Sequence, residues 1–397
     1  MDFNDTSDEA AYRAKARAWL EKNAKPLDPT KVAPSEIGER EDAATIQWCK
    51  DWQAKKADAG WACITWPKEL GGQDATPMQR VIFNQEEARF RVPPPIYAIG
   101  HGMLGPTIMA HGTPEQKKKY LPNMLRGAEV WCQLFSEPAA GSDLAGLRMS
   151  AVKEGNDWVL NGQKIWSTGA HFCDWGMVVT RTDTNAAKHA GLTYFIVDMR
   201  APGIEVRPIR QINGASGFNE VFFTNMRTPD SNRLGAIGDG WRVALTTLMN
   251  ERAAIGGGGA GLGNLGFGRF RDMARHFQLA DDPITRQRLA DIYVRQQVAR
   301  FTNLRAMAKI RSGALPGPEM SIGKLALTAN MQRIAQVIGE ILGPRLVADT
   351  GEWGAYAWSE FVLGIPGLRI AGGTDEVMRN IVGERVLGLP KEPRGTQ

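Results

Sequence analysis

The sequence predicts an α+β protein with an N-terminal helical domain, a middle antiparallel β-barrel or β-sheet domain, and a C-terminal four-helix bundle domain. Three observations support this class. Apolar residues recur at helical spacing in residues 1–130, short β-rich runs separated by turn residues occupy residues 131–240, and helical periodicity returns in residues 241–397. A chain of 397 residues also exceeds what one small core accommodates, which favours several domains.

The N-terminal block contains two helices that the sequence delimits. Ser7 or Asp8 is placed to cap the first helix, in which apolar residues recur three or four positions apart. The second helix is predicted over residues 43–59 and ends at Gly60, because glycine commonly terminates helices.

The middle block is predicted to be antiparallel. Asn161-Gly162 with alternating residues on both sides is a strong hairpin signal, so a hairpin is predicted over Asp157–Trp166. Four further β-rich runs follow, and their close spacing favours a meandering sheet or barrel over βαβ units. These runs cover residues 176–182, 192–198, 204–209 and 220–223.

The C-terminal block shows helical periodicity in four segments, around residues 241–255, 284–312, 319–342 and 374–387. Thr374 and Asp375 are placed to cap the last segment. Gly261–Gly266 matches the G-x-G-x-x-G fingerprint of dinucleotide-binding folds, but a helical pattern precedes it where that fingerprint requires a strand. We therefore interpret these glycines as sites of close helix packing.

Composition and the first residues limit the class of protein and its expected location. Hydrophobic residues make up 43% and charged residues 23%, which excludes a disordered or disulfide-scaffold protein. The four cysteines and five histidines are dispersed, so neither a metal site nor a disulfide framework is predicted. The acidic start MDFNDTSDEA lacks an apolar core, and no uncharged stretch has the length and composition of a membrane span. A cytoplasmic protein without a membrane partner is the expectation.

The net charge of +5 arises in residues 241–397. Such a region is compatible with nucleic acid, with a phosphorylated cofactor, or with an ordinary solvated helical surface. The sequence contains no dense Lys/Arg cluster interleaved with aromatic residues, which argues against a nucleic-acid partner.

Two short segments carry candidate binding chemistry. Ser136, Gly141 and Ser142 offer hydroxyl groups and close backbone approach, as a phosphate-bearing or heteroaromatic ligand requires. Trp166 offers a flat apolar face, and Thr168 offers a hydroxyl two residues later, hence on the same side of a strand. Each segment alone is a weak signal.

Together with two more segments they resemble the acyl-CoA dehydrogenase family, flavoenzymes that desaturate acyl thioesters. The resemblance rests on four ordered motifs: HGMLGPTIMAHGTPEQKKKYLP of His101–Pro122, Ser136-Glu-Pro-x-x-Gly-Ser-Asp143, Lys164-Ile-Trp-Ser-Thr168 and Gly372–Pro390. It implies FAD as cofactor, an acyl-CoA as substrate and electron-transfer flavoprotein as acceptor. It also implies a homotetramer, with a heterotetramer containing a paralogue as the alternative.

The resemblance further implies roles for individual residues. Trp166 packs against the isoalloxazine ring, and Thr168 bonds its N5 side. Thr374 and Glu376 lie near the ADP part of FAD, at the positive end of the last helix. The other cofactor-binding residues implied are Gln133, Phe135, Ser136, Gly141 and Ser142, with Gln336 and Gly339 contributed by a neighbouring subunit. The substrate-binding residues implied are Ser142, Arg252, Gly372 and Gly373.

Two departures from the family pattern leave contacts open. The Arg-x-x-Phe-Gly loop that often reaches a neighbour's FAD corresponds here to Arg271–Asp282, where Arg271 or Arg275 is the substitute. The glycine-rich loop after Gln336 reads Gly339-Glu-Ile-Leu-Gly-Pro344. Both departures are compatible with a mixed tetramer of paralogues.

The catalytic base is predicted from the chemistry, which needs one carboxylate at the α-carbon of the thioester. The family's commonest position for it is occupied here by Gly372. A minority of the family carries the base on the first helix after the β-domain, directly before an arginine, as Glu251-Arg252 does here. Leu248 and Ile255 share the helical face of Glu251 and would desolvate it, which raises a carboxyl pKa. Glu251 is the predicted base; a buried structural glutamate is the alternative.

These residues predict an FAD-dependent acyl-CoA dehydrogenase that forms a 2,3-enoyl-CoA. Glu251 takes the α-proton, and the β-hydride goes to flavin N5. Gly372 keeps a backbone N–H for the thioester oxygen and leaves space for a bulky or branched acyl chain, for example a ring-bearing one as in steroid side-chain catabolism. The alternatives are an acyl-CoA oxidase, a flavin-bearing non-catalytic partner subunit and a DNA-binding member of the family.

Overall fold

The computed structural model describes residues 5–27, 42–256, 266–311, 317–318, 320–348, 350, 352 and 357–391. The predicted fold class is confirmed, with helices at both ends of the chain and a large sheet in the middle. Most of the Gly261–Gly266 motif lies outside the described residues.

The chain separates into two compact units. Unit 1 comprises Met1–Gly38, Thr76–Val92 and Arg252–Gln397, and unit 2 comprises Glu39–Ala75 and Pro93–Glu251. The predicted N-terminal block therefore contributes to both units. The domain limits at residues 130 and 240 stay a prediction.

The α-helices among the described residues are α1 (Ser7–Asn23), α2 (Ala43–Asp58), α3 (Pro77–Glu87), α4 (Gly105–His111), α5 (Pro114–Arg126), α6 (Gly240–Gly256), α7 (Phe267–His276), α8 (Pro283–Arg311), α9 (Met320–Leu342), α10 (Ala357–Leu368) and α11 (Asp375–Ile381). None of them is both long and apolar enough to cross a bilayer.

The helix starts follow local sequence signals. Thr6, one residue before the predicted cap, begins α1 in a capping box with Glu9. Thr76 and Thr113 form the same box at α3 and α5, each with proline in the first turn. The sequence analysis did not delimit α7 or α10, and in α10 the internal Pro366 obscures the helical pattern.

Within the described part of the chain the strands are β1 (Lys25–Pro26), β2 (Phe90–Arg91), β3 (Trp131–Leu134), β4 (Ser150–Glu154), β5 (Asp157–Thr168), β6 (Trp175–Arg181), β7 (Leu192–Asp198), β8 (Ile204–Ile209), β9 (Phe218–Pro229) and β10 (Arg233–Leu234). β1 and β2 pair with each other. The other eight form one sheet in the order β10-β7-β6-β4-β5-β9-β8, with β3 beside β6. Most pairs are antiparallel, but β3 runs parallel to β6.

The hairpin predicted at Asn161-Gly162 is wrong. Both residues lie inside the continuous strand β5, where the register with β9 shifts between Leu160 and Gly162. The Asn161 amide exchanges hydrogen bonds with Asn225, and a Cβ on Gly162 would lie 2.8 Å from Met149. Thr224 and Asn225 of β9 stand opposite Asn161 alone, so the irregularity is a β-bulge of β9, with Asn225 at a φ of 49°. The real turn is at residues 155–156, between β4 and β5.

The core of unit 2 lies on both faces of β6 and β7. Met177 and Tyr194 belong to a cluster shared with α4, α5 and α6, whereas Val178 and Phe195 belong to a cluster shared with β5 and β9. Burial on both faces explains why these two strands are nearly continuous apolar runs in the sequence.

Unit 1 has its own core, in which Phe270, Trp358 and Ile338 pack with other apolar residues of α7–α10. In the same unit, Glu86 of α3 is buried and accepts hydrogen bonds from Arg17 at 2.8 Å and Arg13 at 3.1 Å, both on α1. These bonds, with burial opposing them, lower the pKa of Glu86 to about 2.

Glu86→Gln is expected to remove an acid-sensitive part of the stability. The folded-state pKa lies below the unfolded value, so this contribution is present above about pH 5 and is lost as pH falls towards 2; one such carboxyl contributes on the order of 3 kcal/mol. As the pH is lowered from about 7 to about 3, the thermal unfolding midpoint should fall more steeply for wild type than for Glu86→Gln. The control is Asp281→Asn, an exposed carboxylate. Parallel pH curves for wild type and Glu86→Gln would contradict the assignment.

Candidate active site

The Lys164–Thr168 motif lies at a second bulge of the β5–β9 pair, this one in β5. Lys164 pairs with Val221 and Ser167 with Asn219, so two residues of β5 stand opposite one residue of β9. One of the two is Trp166, whose φ of 62° lies in the left-handed region and whose exposed fraction is 55%. A non-glycine residue in this conformation is strained and is often found at functional sites. The bulge thus presents the Trp166 indole at the surface of unit 2.

The residues after Trp166 alternate in burial. Ser167 is buried and Thr168 is half-buried. The Trp166 ring meets Phe218 edge to face at a centroid distance of 5.9 Å. The Ser167 Oγ is buried without a hydrogen-bond partner among the described residues, whereas its carbonyl accepts from Asn219 Nδ2 at 2.9 Å.

The β3 segment and its following loop lie directly beside this bulge. Gln133 and Ser136 are half-buried and Phe135 is buried, whereas Gly141 and Ser142 are exposed in the loop. The backbone N–H of Ile165 donates to the Ser136 carbonyl at 2.9 Å. The two motifs that the sequence singled out are therefore adjacent within unit 2.

A buried ion pair joins the two motifs. Lys164 Nζ donates to Glu137 Oε1 at 2.9 Å and to the Phe135 carbonyl at 3.0 Å, and the side chains are 0% and 8% exposed. The Glu137 carboxylate also accepts from the backbone N–H groups of Arg148 and Met149, at 2.7 and 2.9 Å. Burial lowers the pKa of Lys164 to about 8, although the Glu137 carboxylate opposes this shift.

Sequence reasoning did not single out Lys164 and Glu137, although both lie inside the motifs that it quoted. The available signal was a charged residue of each sign in otherwise uncharged stretches of the sequence.

Glu251 lies on the face of α6 that packs into unit 2. Val243, Ala244 and Thr247 of this face are buried, Leu248 is packed against the core, and Glu251, four residues after Thr247, is half-buried. The side chains of Arg252 and Ile255 lie outside the described residues, so the predicted CoA contact and one side of the predicted apolar stripe stay predictions.

The glycines before α11 have a conformation that other residues avoid. Gly372 and Gly373 have φ of 66° and 87°, and a Cβ on Gly373 would lie 2.5 Å from Met378. Thr374 then caps α11 by accepting from the Val377 N–H at 3.2 Å. Glu376 follows in the first turn and is exposed.

Asp375 fixes this turn within unit 1. It is buried, and its carboxylate accepts from Lys324 Nζ at 2.8 Å, Thr328 Oγ1 at 2.9 Å and Arg369 Nε at 2.8 Å. Burial raises the pKa of Asp375, but these donors outweigh it and hold the pKa at about 2. The sequence assigned Asp375 a capping role; the structure gives that role to Thr374 and makes Asp375 the buried anchor.

The residues predicted to reach a neighbouring subunit lie on α7 and α9. Gln336 is exposed, accepts from Arg333 at 2.9 Å and donates to Glu340 at 3.1 Å, and Gly339 is half-buried. Arg271 and Arg275 both pair with Asp272, so the structure does not choose between them.

A cavity of about 600 Å³ also opens in unit 2, between Val152 of β4 and Ile237 in the loop before α6. Among the described residues that line it, none was predicted for the site. The strained indole and the buried ion pair are better indicators of chemistry than this cavity.

Lys164→Met is expected to destabilise the protein by about 3 kcal/mol, because it leaves the Glu137 carboxylate buried without its cation. Lys188→Met is the matched control, since the Lys188–Asp143 pair is 51% and 66% exposed, and such pairs contribute at most about 1 kcal/mol. Urea unfolding followed by tryptophan fluorescence measures both. Equal unfolding midpoints for the two variants would show that the buried pair has no special role.

Three sequence models of the acyl-CoA dehydrogenase family match the chain. Acyl-CoA dehydrogenase, N-terminal domain, matches residues 6–128; the middle domain matches 132–226, and the C-terminal domain matches 238–387.

The chain is also similar to individual proteins. Acyl-CoA dehydrogenase IpdE1 of Mycobacterium tuberculosis is 38% identical over 394 residues, which cover 97% of this chain and 98% of that protein. A solved structure named Tcur3481-Tcur3483 steroid ACAD aligns with a TM-score of 0.84 at 28% identity, over 99% of this chain and 100% of that one. The ChsE4-ChsE5 complex from Mycobacterium tuberculosis aligns with a TM-score of 0.81 at 28% identity, over 99% and 100%.

Proposed function

The chain belongs to the acyl-CoA dehydrogenase family, oxidoreductases acting on CH–CH groups, and we propose that it forms a 2,3-enoyl-CoA from a branched or ring-bearing acyl-CoA with Glu251 as the base. The proposal depends on which residues occupy positions 372 and 251. A glycine in the left-handed conformation occupies position 372, and a carboxylate lies half-buried on the inward face of α6 at position 251.

The described residues fit FAD as the cofactor. The indole of Trp166 is held outward at a strained bulge, which suits stacking on a flat heteroaromatic ring. Beside it, the buried Ser167 Oγ has no hydrogen-bond partner among the described residues, and a Cβ on Gly141 would meet no atom within 4 Å. When bound, FAD supplies the acceptor for the β-hydride at its N5 atom. The residues of unit 2 that would hold it are Gln133, Phe135, Ser136, Ser142, Trp166 and Thr168.

Glu251 removes the proton from the α-carbon in this proposal. The reaction breaks the α-C–H bond and transfers its proton to the carboxylate, while the β-hydrogen leaves with its electron pair. A base for this step works best with a pKa near the working pH, and partial burial moves a carboxyl pKa in that direction.

Gly372 supports the choice of substrate class. At a φ of 66° a side chain would strain the backbone by roughly 1–2 kcal/mol, which favours glycine at position 372. Without a side chain, the backbone N–H remains available to the thioester oxygen, and space remains beside the α-carbon. The similar structure named a steroid ACAD agrees with a ring-bearing acyl group. Gly373 and Arg252 complete the proposed substrate contacts.

The proposed partners follow the family. Electron-transfer flavoprotein is the proposed acceptor, and the cytoplasm is the proposed location on the sequence grounds given above. A homotetramer is the simplest assembly. Two similar structures, however, have names that join two components, and one of them is called a complex. An assembly with a second, related chain is therefore the alternative to test. A flavin-bearing, non-catalytic partner subunit is the corresponding second function.

Glu251→Gln is expected to slow anaerobic flavin bleaching by an acyl-CoA by about 100-fold or more, because the amide cannot take the α-proton. Stopped-flow absorbance at about 450 nm measures the rate constant of bleaching. Glu251→Asp is the control, since it keeps the acid at a shorter reach and should retain measurable activity. FAD content must match wild type in both. Bleaching of Glu251→Gln at the wild-type rate would remove Glu251 from the reaction.

A thioester panel tests the substrate class. Ring-bearing or α-branched acyl-CoAs should bleach the wild-type flavin at least about 10-fold faster than straight medium-chain ones, because the space at Gly372 accepts the bulk. Preference for the straight chains would contradict this.

Reoxidation of the reduced flavin by a dye but not by dioxygen separates a dehydrogenase from an oxidase. If FAD binds and no thioester bleaches it, the partner-subunit function takes precedence.

A further inference from the structure

Three buried hydroxyl groups meet beneath the helix that carries Glu251. Thr247 Oγ1 of α6 lies 2.9 Å from Thr107 Oγ1 of α4 and 3.1 Å from the Tyr194 hydroxyl of β7. All three side chains are 0% exposed. The three elements belong to unit 2, so the cluster joins them within one compact body.

The hydrogen bonds of this cluster have one consistent direction. Thr107 donates to the Met103 carbonyl at 2.8 Å, so its oxygen accepts from Thr247. Thr247 has then used its proton, and its oxygen accepts from the Tyr194 hydroxyl. Burial raises the pKa of Tyr194, which keeps this donor protonated. The alternative bond from Thr247 to the Val243 carbonyl is longer, at 3.4 Å.

The cluster lies one helical turn from Glu251. Residues four apart share a helix face, and side chains lean towards the helix N-terminus, so the Glu251 side chain covers the turn that contains Thr247. His111 of α4 adds a second bond to this turn, from its Nε2 atom to Thr246 Oγ1 at 2.8 Å.

Tyr194 also touches the segment proposed to line the cofactor. Its ring meets Phe135 edge to face at a centroid distance of 5.8 Å. One side chain therefore contacts both the β3 segment and the base helix.

We infer that the hydroxyl chain Tyr194–Thr247–Thr107 positions Glu251 for proton removal, which makes Thr247 and Tyr194 positioning residues of the reaction. The inference rests on the proposed function. A helix that shifts by about 1 Å carries its carboxylate out of reach of the α-proton, and such misplacement costs up to about 100-fold in rate. Flavin binding, which does not need Glu251, is left intact.

The test uses the full-length, FAD-loaded protein and the thioester that bleaches wild type fastest. Thr247→Val removes the hydroxyl at nearly constant volume, and Thr247→Ser restores it. Thr180→Val is the matched control, because Thr180 is 0% exposed in the same unit and its hydroxyl donates to the Thr193 carbonyl, not to a residue of α6. The rate constant of bleaching, its pH midpoint, the thioester Kd and the FAD Kd of the apoprotein are measured for each.

We expect Thr247→Val to lower the rate constant of bleaching by about 10- to 100-fold and to move its pH midpoint. Both Kd values should stay within about 2-fold of wild type, a change smaller than the expected rate effect. Thr247→Ser should recover the rate, and Thr180→Val should keep it. Tyr194→Phe removes the donor but keeps the ring on Phe135, so it should show the same effect and carries the test if Thr247→Val does not fold.

An unchanged rate constant and pH midpoint in Thr247→Val, or in Tyr194→Phe, would overturn the inference. An equal loss in Thr180→Val would do the same, since it would mark a general effect on unit 2. Glu251→Gln distinguishes a failure of the proposed function from a failure of the positioning role. If that variant bleaches normally, the proposed base is wrong; if it is slow while Thr247→Val is normal, only the positioning role fails.

Discussion

The buried pair of Lys164 and Glu137 is the interaction on which the candidate site of unit 2 depends. An ammonium group without solvent is tolerated only when a carboxylate and further acceptors surround it, and here Glu137 and the Phe135 carbonyl do so. The same carboxylate accepts hydrogen bonds from the N–H groups of Arg148 and Met149, directly before β4. One salt bridge thereby fixes the start of the Glu137–Asp143 loop, Phe135 directly after β3, and the bulge of β5. The strained conformation of Trp166, two residues from Lys164, persists because its neighbours on both sides are held.

The sequence predicted those parts of the fold that depend on local periodicity. The strands β6, β7 and β8 and the long helices α8 and α9 lie within a residue or two of the predicted limits. The signals failed where one residue type serves two geometries. Asn161-Gly162 is as suitable for a strand opposite a bulge as for a turn, and only the pairing with Asn225 on β9 decides between them. That pairing is a long-range property of the sheet, so local reasoning could not supply it.

The candidate site shows the same limit. The motifs located Trp166, Ser136 and Glu251, but their surroundings depend on partners distant in sequence. Glu137 is 27 residues from Lys164, and Asp375 is 51 residues from Lys324. Buried charges such as these are visible in a sequence only as isolated polar residues in apolar segments. The positive φ of Trp166 has no local signal at all, because it results from the register of β5 against β9.

The position of the proposed base has a structural rationale that follows from the two units. Gly372 belongs to unit 1, where its turn is held by the buried carboxylate of Asp375. Glu251 belongs to unit 2, as do Phe135 and Trp166. The proposed base and the two residues proposed to line the cofactor therefore belong to one compact body, which also contains the Tyr194–Thr247–Thr107 chain. The turn at 372 then needs no catalytic side chain and keeps only its backbone N–H for the thioester oxygen, which is why a glycine there and a bulky substrate belong to the same proposal.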